Sequence, residues 1–527
     1  MMVSYAPNND HFWEDLDFSK SDFEFFFNLL LDREVPLSTL ELVNEFIPFQ
    51  IENELERLKK ENAQTGELYM PSKDYSTGDK VVFPSADMKQ GTVISKRNGF
   101  NPDLQLFNVI EVLFENKEKK YFASGLKDHL LNRSLEAELA NPNFDPDYVK
   151  DNFGSTLAQK LEIALSDNHD LVRIAGSWFP RALLVDINAG HLNLAEAVLE
   201  EAHGGPLDTI TLMEQVELTA DVNQELLQFS FDHALQEDNR FDEVGPSGKM
   251  LWFLQAMEPN DVRNLPVYLD YQPSSEMSDN IKEYLQSFEG NLYDELDSWD
   301  TADNLHDEAK ISLIFPHLRS GTLPLSNTLS KMFPTAYEAP RVRFTFTDED
   351  EGIDFPGWVV RKSKYVYGLK EWYEKKQLIP GNFVSVQKGK KEGEINIRIE
   401  KSRQNKEWLK TILIGTDHGI VFAMLKHPVI ASFNERMAIA IPDISAVDEL
   451  WNGQIFAKEP IEKTIFKIMR ELSKLNPQGQ VHAQELYSAV NIVRRCPPSI
   501  VMTFLVNNAK VSHLGDLYFR ILEGENL

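Results

Sequence analysis

The sequence predicts a multidomain α+β protein, with three winged-helix-like units and two small β-barrel-like units joined by helical and acidic connectors. Three observations lead there. The chain has 527 residues, too many for one core at about 100 to 200 residues per domain. Its apolar residues alternate between helical and strand periodicity along the chain. The stretches are separated by Pro, Gly and acidic runs, where cores end.

Residues 1–70 predict the first winged-helix-like unit. Phe23, Phe26, Phe27 and Leu30 recur at helical spacing, and Ser38 with Glu41 is a capping box that starts a second helix. Ile51, Leu55 and Leu58 stripe a third helix before the short extended piece Leu68-Tyr69-Met70. Across 71–135 the period becomes that of strands, in Val81-Val82-Phe83, Gly91-Thr92-Val93-Ile94 and Phe107 to Phe114, which predicts a small barrel. Residues 136–190, interrupted at Asn141-Pro142 and Asp145-Pro146, read as a helical connector.

The winged outline returns at 191–257, where Leu194 and Val198 begin a helix and Gly204-Gly205-Pro206 stops it. Asp208 caps the next helix, Leu227, Phe231 and Leu235 stripe a third, and Phe241 to Leu254 reads as a hairpin. Residues 258–335 read as an acidic connector punctuated by proline, and 336–455 as a basic strand-rich barrel. The third winged-helix-like unit, 456–527, is expected from Ile461, Ile465, Ile468, Leu472 and Leu475, then from Leu486, Tyr487 and Val490. Ile500, Val501, Phe504 and Leu505 follow, and Leu517, Phe519 and Ile521 alternate as a strand.

Three segments resemble known families. Asp238-Asn239-Arg240-Phe241, Val244-Gly245 and Leu251-Trp252-Phe253-Leu254 are similar to the close of the HARE-HTH winged helix of the RNA polymerase delta subunit and of some chromatin and restriction proteins. Tyr75 to Pro84, with Gly91 to Ile94, resembles the opening of the CarD-type RNA polymerase interacting domain, a Tudor-like barrel. Gly368 to Gly381, with Trp372, Leu378 and Pro380-Gly381, resembles the DNA-binding pseudobarrel of plant transcription factors. These resemblances imply transcription-associated partners: RNA polymerase or another protein for the N-terminal units, DNA or RNA for the basic segment.

Charge narrows the possibilities. The net charge of −30 disfavours a general nucleic-acid surface, because acidic surface repels phosphate. Val359 to Thr411 nevertheless holds fourteen Lys and Arg against six Asp and Glu, a net of +8, whereas Asp270 to Glu308 nets −11. The N-terminus lacks a basic region followed by an apolar run, no apolar stretch is long enough for a transmembrane helix, and Cys496 stands alone. A cytoplasmic protein without membrane contact is expected.

The candidate nucleic-acid residues are Arg361, Lys362, Lys364, Lys370, Trp372, Lys388, Lys390, Lys391, Arg398 and Arg403, with Tyr365, Tyr367, Tyr373 and Trp408 interleaved. Lysines neutralise phosphates and exposed aromatic rings stack on unpaired bases. Arg494 and Arg495 precede Pro497-Pro498, where the recognition helix of a helix-turn-helix would start. No catalytic constellation is expected. Asp103, Glu115 and Lys117 match a loose metal-nuclease pattern at what reads as a hairpin tip. Gly245-Pro246-Ser247-Gly248-Lys249 lacks the first glycine and the hydroxyl of a phosphate loop. The 12 histidines have no ligand spacing, so neither metal nor cofactor is expected. The competing expectation is an acidic interaction scaffold whose winged helices dock protein.

Overall fold

Among the described residues the order helix, strand, helix, helix and hairpin recurs three times, the first time interrupted by other strands, and each time the first strand joins the hairpin in a three-stranded sheet. The computed structural model describes residues 12–65, 67–83, 89–101, 106–114, 117–127, 142–271, 294–297, 308–336, 339–391 and 393–522, without the side chains of 58–65, 67–68, 142, 328 and 402–405. Its helices and separate sheets make a multidomain α+β fold.

The first repeat uses α1 (Lys20–Arg33), β1 (Leu37–Ser38) and α2 (Thr39–Thr65). The capping box starts α2: the Ser38 N–H donates to Glu41 Oε2 at 2.7 Å, and the Glu41 N–H donates to Ser38 Oγ at 3.2 Å. Pro48 lies inside α2, so the two helices expected on either side of it are one. A proline removes one backbone donor and need not end a helix otherwise held by buried Phe46, Ile47 and Ile51.

The chain then leaves this unit. β2 (Glu67–Leu68) runs parallel to β3 (Lys80–Phe83), and β4 (Lys89–Asn98), β5 (Asn108–Phe114) and β6 (Lys119–Ser124) follow as an antiparallel meander. The Gly125 and Leu126 N–H groups donate to the Lys73 and Pro71 carbonyls at 2.9 and 2.7 Å, folding the end of β6 back onto the segment after β2. Tyr69, Tyr75, Val81, Phe83, Val93, Ile110, Val112 and Phe114 fill this barrel-like sheet.

The first winged unit resumes afterwards with α3 (Pro146–Ser166), β7 (Leu171–Ile174) and β8 (Ser177–Pro180). β1 pairs with β8, setting Leu37 opposite Trp178, and the hairpin turns through Ala175 and Gly176, both at positive φ. The boundaries at 70 and 136–190 are therefore corrected. Leu68 pairs with Val82 in the barrel, and the stretch expected to be a connector supplies the third helix and the wing. Apolar period describes each segment separately and carries no information about which segments join across an insertion of some 60 residues.

The second repeat comprises α4 (Ala189–Glu201), β9 (Leu207–Asp208), α5 (Thr209–Gln215), α6 (Gln224–Glu237), β10 (Phe241–Glu243) and β11 (Leu251–Leu254). Asp208 caps α5 through the Thr211 N–H at 2.9 Å. The short helix α7 (Asn260–Arg263) follows. By internal contacts the chain divides into two units, 1–186 with 220–230, and 187–219 with 231–527.

In the larger unit, β12 (Glu308–Ser312), α8 (Phe315–Ser320), β13 (Thr322–Pro324), α9 (Asn327–Ser330), β14 (Arg341–Asp348), β15 (Ile353–Val360), β16 (Tyr365–Tyr367), α10 (Lys370–Lys375), β17 (Phe383–Lys388) and β18 (Glu394–Ile399) build a seven-stranded sheet. Its order is β12-β17-β18-β14-β15-β16-β13, with β14 and β18 parallel at the centre. The expected start at 336 is corrected to 308, because both edge strands precede it. Pro316 lies in the first turn of α8 and Pro324 ends β13, positions where a missing N–H costs little, so these prolines belong to elements and not to a linker.

The long hairpin β19 (Lys401–Ile414) and β20 (Ile420–Ala431) forms a separate sheet with β21 (Ile439–Ala440). After α11 (Ile444–Asn452), the third repeat closes the chain with α12 (Ile461–Ser473), β22 (Gln480–His482), α13 (Ala483–Val493), α14 (Pro498–Asn507), β23 (Val511–Gly515) and β24 (Tyr518–Ile521). Among the described residues no helix is long and apolar enough to cross a membrane.

Candidate nucleic-acid interface

A winged helix that reads a groove needs a third helix able to approach phosphate. None of the three has that chemistry. α3 carries Asp147, Asp151 and Glu162 against Lys150 and Lys160. α6 carries Glu225, Asp232 and Glu237 and no Lys or Arg. α14 holds no charged residue, and Val501, Met502, Phe504 and Leu505 on it are buried.

The two arginines before α14 are already engaged. Arg494 donates to the Phe456 and Glu459 carbonyls at 2.9 and 2.7 Å. Arg495 is buried, and its Nη2 donates to Asp294 Oδ2 and Glu295 Oε1, each at 2.8 Å. Tyr487 Oη donates to the same Asp294 carboxylate at 2.8 Å, while Asp297 accepts from the Ser499 N–H at 3.0 Å. Burial works against charge on Glu295, but Arg495 and His317 together bring its carboxyl below the usual range. Burial, with the neighbouring Asp294 charge, pushes Asp297 up to about 8. Arg495, expected as a nucleic-acid contact, is instead buried and paired with the carboxylates of Asp294 and Glu295. Sequence showed those acids as part of a charge run, with no signal that they would be buried.

The basic segment divides in the same way. Trp372 is buried and donates through Nε1 to Asp348 Oδ2 at 2.8 Å, and Tyr365 and Tyr373 are buried as well, so these rings are core and not stacking platforms. Lys370 is exposed at the start of α10 and lines, with Trp372, Phe355 and Tyr367, a recess of about 430 Å³. Trp408 is 60% exposed, with Lys426 over its ring. Arg398 pairs with Glu308 at 2.6 Å and Glu349 at 3.4 Å. The backbone of Arg403 lies in β19, and its side chain is outside the described residues. Arg361 turns inward and donates to the Pro334 carbonyl at 2.6 Å. Lys362 and Lys364 are exposed in the turn between β15 and β16.

Lys388, Lys390 and Lys391 share exposure and the lack of an ion pair among the described residues with Lys362, Lys364 and Lys370, and differ in that all three line one recess. They project from the turn joining β17 to β18. Gly393, at φ 76°, lets that turn close with the left-handed residue it requires. With Lys331, which sequence reasoning missed because it stands alone in its segment, they line a recess of about 380 Å³. Met332 to Thr335 form its floor, and Pro246 and Ser247 of the second wing form a wall. Ser247 Oγ donates to the Thr335 carbonyl at 2.9 Å, which fixes that wall in place. The turn at Gly245 to Lys249 is thus a structural contact, closed by the Lys249 N–H on the Pro246 carbonyl.

No protein-family model and no curated protein matches this chain.

The Asp238-x-Arg240-Phe241 turn has a local explanation. Arg240 donates to Asp238 Oδ1 through Nε at 3.0 Å and to Asn193 at 2.9 Å, and it pairs with Glu196, tying the start of β10 to α4. Arg341 in turn joins Asp242 and Glu258 at 2.6 and 2.7 Å, and Phe253 packs edge-on against Trp358 at 5.3 Å. The second wing and the seven-stranded sheet therefore share one core. Of the nuclease pattern, Asp103 and Glu115 lie outside the described residues, and Lys117 is an exposed turn residue at φ 64°. Among the described residues no three His, Cys, Asp or Glu side chains gather as a metal-ligand set.

Proposed function

We propose that this protein is a non-catalytic, nucleic-acid-associated adaptor, and that the seven-stranded sheet, through the turn at Lys388, Lys390 and Lys391, is its nucleic-acid surface. The observation that carries the reading is the contrast among the cations. Arg398, Arg494 and Arg495 are held by partners in the chain, whereas these three lysines converge on an open recess with no such partner among the described residues. Uncommitted ammonium groups displace the counterions of a phosphate backbone at little cost in broken contacts.

The winged units serve a different role in this reading, as protein-docking and structural modules. Their third helices lack basic character, and Leu40 and Ile210, at equivalent positions one residue into the second helix, are 51% and 53% exposed. Those apolar positions suit a protein partner, RNA polymerase being the one that the sequence resemblances suggest. A cytoplasmic, transcription-associated setting fits the same reading.

Titration of the full chain with single-stranded and duplex oligonucleotides at two salt concentrations tests the proposal. Replacing Lys388, Lys390 and Lys391 together by alanine is expected to weaken binding and flatten the salt slope by about two to three units, at roughly 0.7–0.9 per phosphate contact. Binding that is absent, indifferent to salt, or unchanged in the triple variant would overturn it.

A further inference from the structure

We infer that the lysine-lined recess is a phosphomonoester site, which takes the terminal phosphate of a nucleic-acid strand. The inference rests on the nucleic-acid reading above and goes further, naming which part of the nucleic acid enters.

Three properties of the recess point to an end and not to a continuous backbone. The first is size. Its volume of about 380 Å³ falls at the low end of the range for small-ligand pockets, roughly 300–1,000 Å³, and so fits a nucleotide-sized group and not a duplex.

The second is rigidity. The floor is pinned from both sides, by the Ser247 hydroxyl on the Thr335 carbonyl at 2.9 Å and by Arg361 on the Pro334 carbonyl at 2.6 Å. The wing that would otherwise be free to follow a groove is part of the wall. Fixed backbone on the floor and one wall holds the lysines of the turn over one place, which suits a single phosphate more than a run of them.

The third is charge. Lys331, Lys388, Lys390 and Lys391 line the recess, and among the described residues Glu394 is the one acid on it. Its carboxylate already accepts from the Lys391 N–H and the Thr347 hydroxyl, each at 3.2 Å. A terminal phosphate carries about −1.5 to −2 near neutral pH, against −1 for an internal phosphodiester. Several ammonium groups in one recess repel one another, and the dianion relieves that repulsion more fully. The rest of the chain carries the remainder of the −30 charge and repels extended backbone, which further favours a contact confined to one phosphate.

A phosphomonoester also occurs on free mononucleotides, so the test separates the two sources. The full chain is titrated with one single-stranded oligonucleotide bearing a 5′-phosphate, a 3′-phosphate or hydroxyls at both ends, and with adenosine monophosphate. A phosphorylated form is expected to bind about tenfold more tightly than the all-hydroxyl strand, with adenosine monophosphate weaker. The Lys390→Ala/Lys391→Ala variant, on an exposed turn, is expected to erase that difference while keeping its thermal unfolding profile. Equal binding of all three oligonucleotides overturns the end-recognition inference and leaves the nucleic-acid reading standing. No binding by any oligonucleotide overturns both. Adenosine monophosphate binding as tightly as the phosphorylated strand overturns the strand as the source.

Discussion

Asp232 illustrates how one residue sets a condition on stability. It is buried in the second winged unit, where it accepts from the Thr209 hydroxyl at 2.5 Å and from Trp252 Nε1 at 2.9 Å. Among the described residues no cation pairs with it, and burial pushes its carboxyl up to about 7 despite those two donors. A carboxyl raised in the folded state binds its proton more tightly there than in the unfolded chain. Stability therefore falls as pH rises from the unfolded value of 3.8 towards 7, and the loss is complete above 7. Asp232→Asn keeps an acceptor for both donors and removes the titration. The variant should match the wild type near pH 4 and exceed it above pH 7 by up to about 4 kcal/mol, at about 1.4 kcal/mol per pH unit. Thermal unfolding from pH 4 to 8 checks this, and an offset that does not change with pH would reject it.

At the scale of elements, the three winged units solve one packing problem with two chemistries. Register places Leu37 opposite Trp178, Leu207 opposite Trp252 and Val481 opposite Phe519. In the first unit Trp178 Nε1 donates to Thr39 Oγ1 at 2.9 Å, and in the second Trp252 reaches Thr209 at 3.2 Å. The third unit has Phe519 and Ala483 at these places, so the donor and the acceptor are both missing. An unpaired buried indole N–H costs more than the net worth of its hydrogen bond. Thr39→Ala alone should therefore destabilise the first unit by about 1–3 kcal/mol. In a double-mutant cycle with Trp178→Phe, the Thr39 change should cost distinctly less once the indole is gone, and strict additivity would count against this account. The capping residues Ser38 and Asp208 were legible in sequence because a cap is decided within four residues. The matching of Trp to Thr was not, since the partners lie 139 and 43 residues apart.

For the whole molecule, the inserted barrel changes which pieces are self-sufficient. A fragment of residues 1–70 lacks α3 and the β7–β8 hairpin, so β1 has no strand to pair with and Phe26, Phe46 and Ile47 lose part of their cover. We expect fragment 1–70 to show no cooperative thermal transition and fragment 1–186 to show one. A cooperative transition in the shorter piece would restore the boundary at 70. Charge acts at this scale as well. Excess acid over the molecule and a local surplus of lysine at one turn are both sequence properties, but the recess requires β17, β18, the segment after α9 and the second wing to meet.

By itself the sequence determined the local matters: where helices begin, which faces are apolar, that the architecture is α+β in several pieces, and that cations concentrate in 359–411. These follow from periodicity, capping and composition, which act over a few residues. Only the tertiary structure decided that the first winged unit is split by a barrel, that the seven-stranded sheet begins at β12, and that Arg495 and Trp372 are buried while Lys388, Lys390 and Lys391 remain open. The reason is physical. Whether a charge is spent within the chain depends on which distant group comes within about 4 Å of it, and Arg495 meets its carboxylates across 201 and 200 residues of sequence.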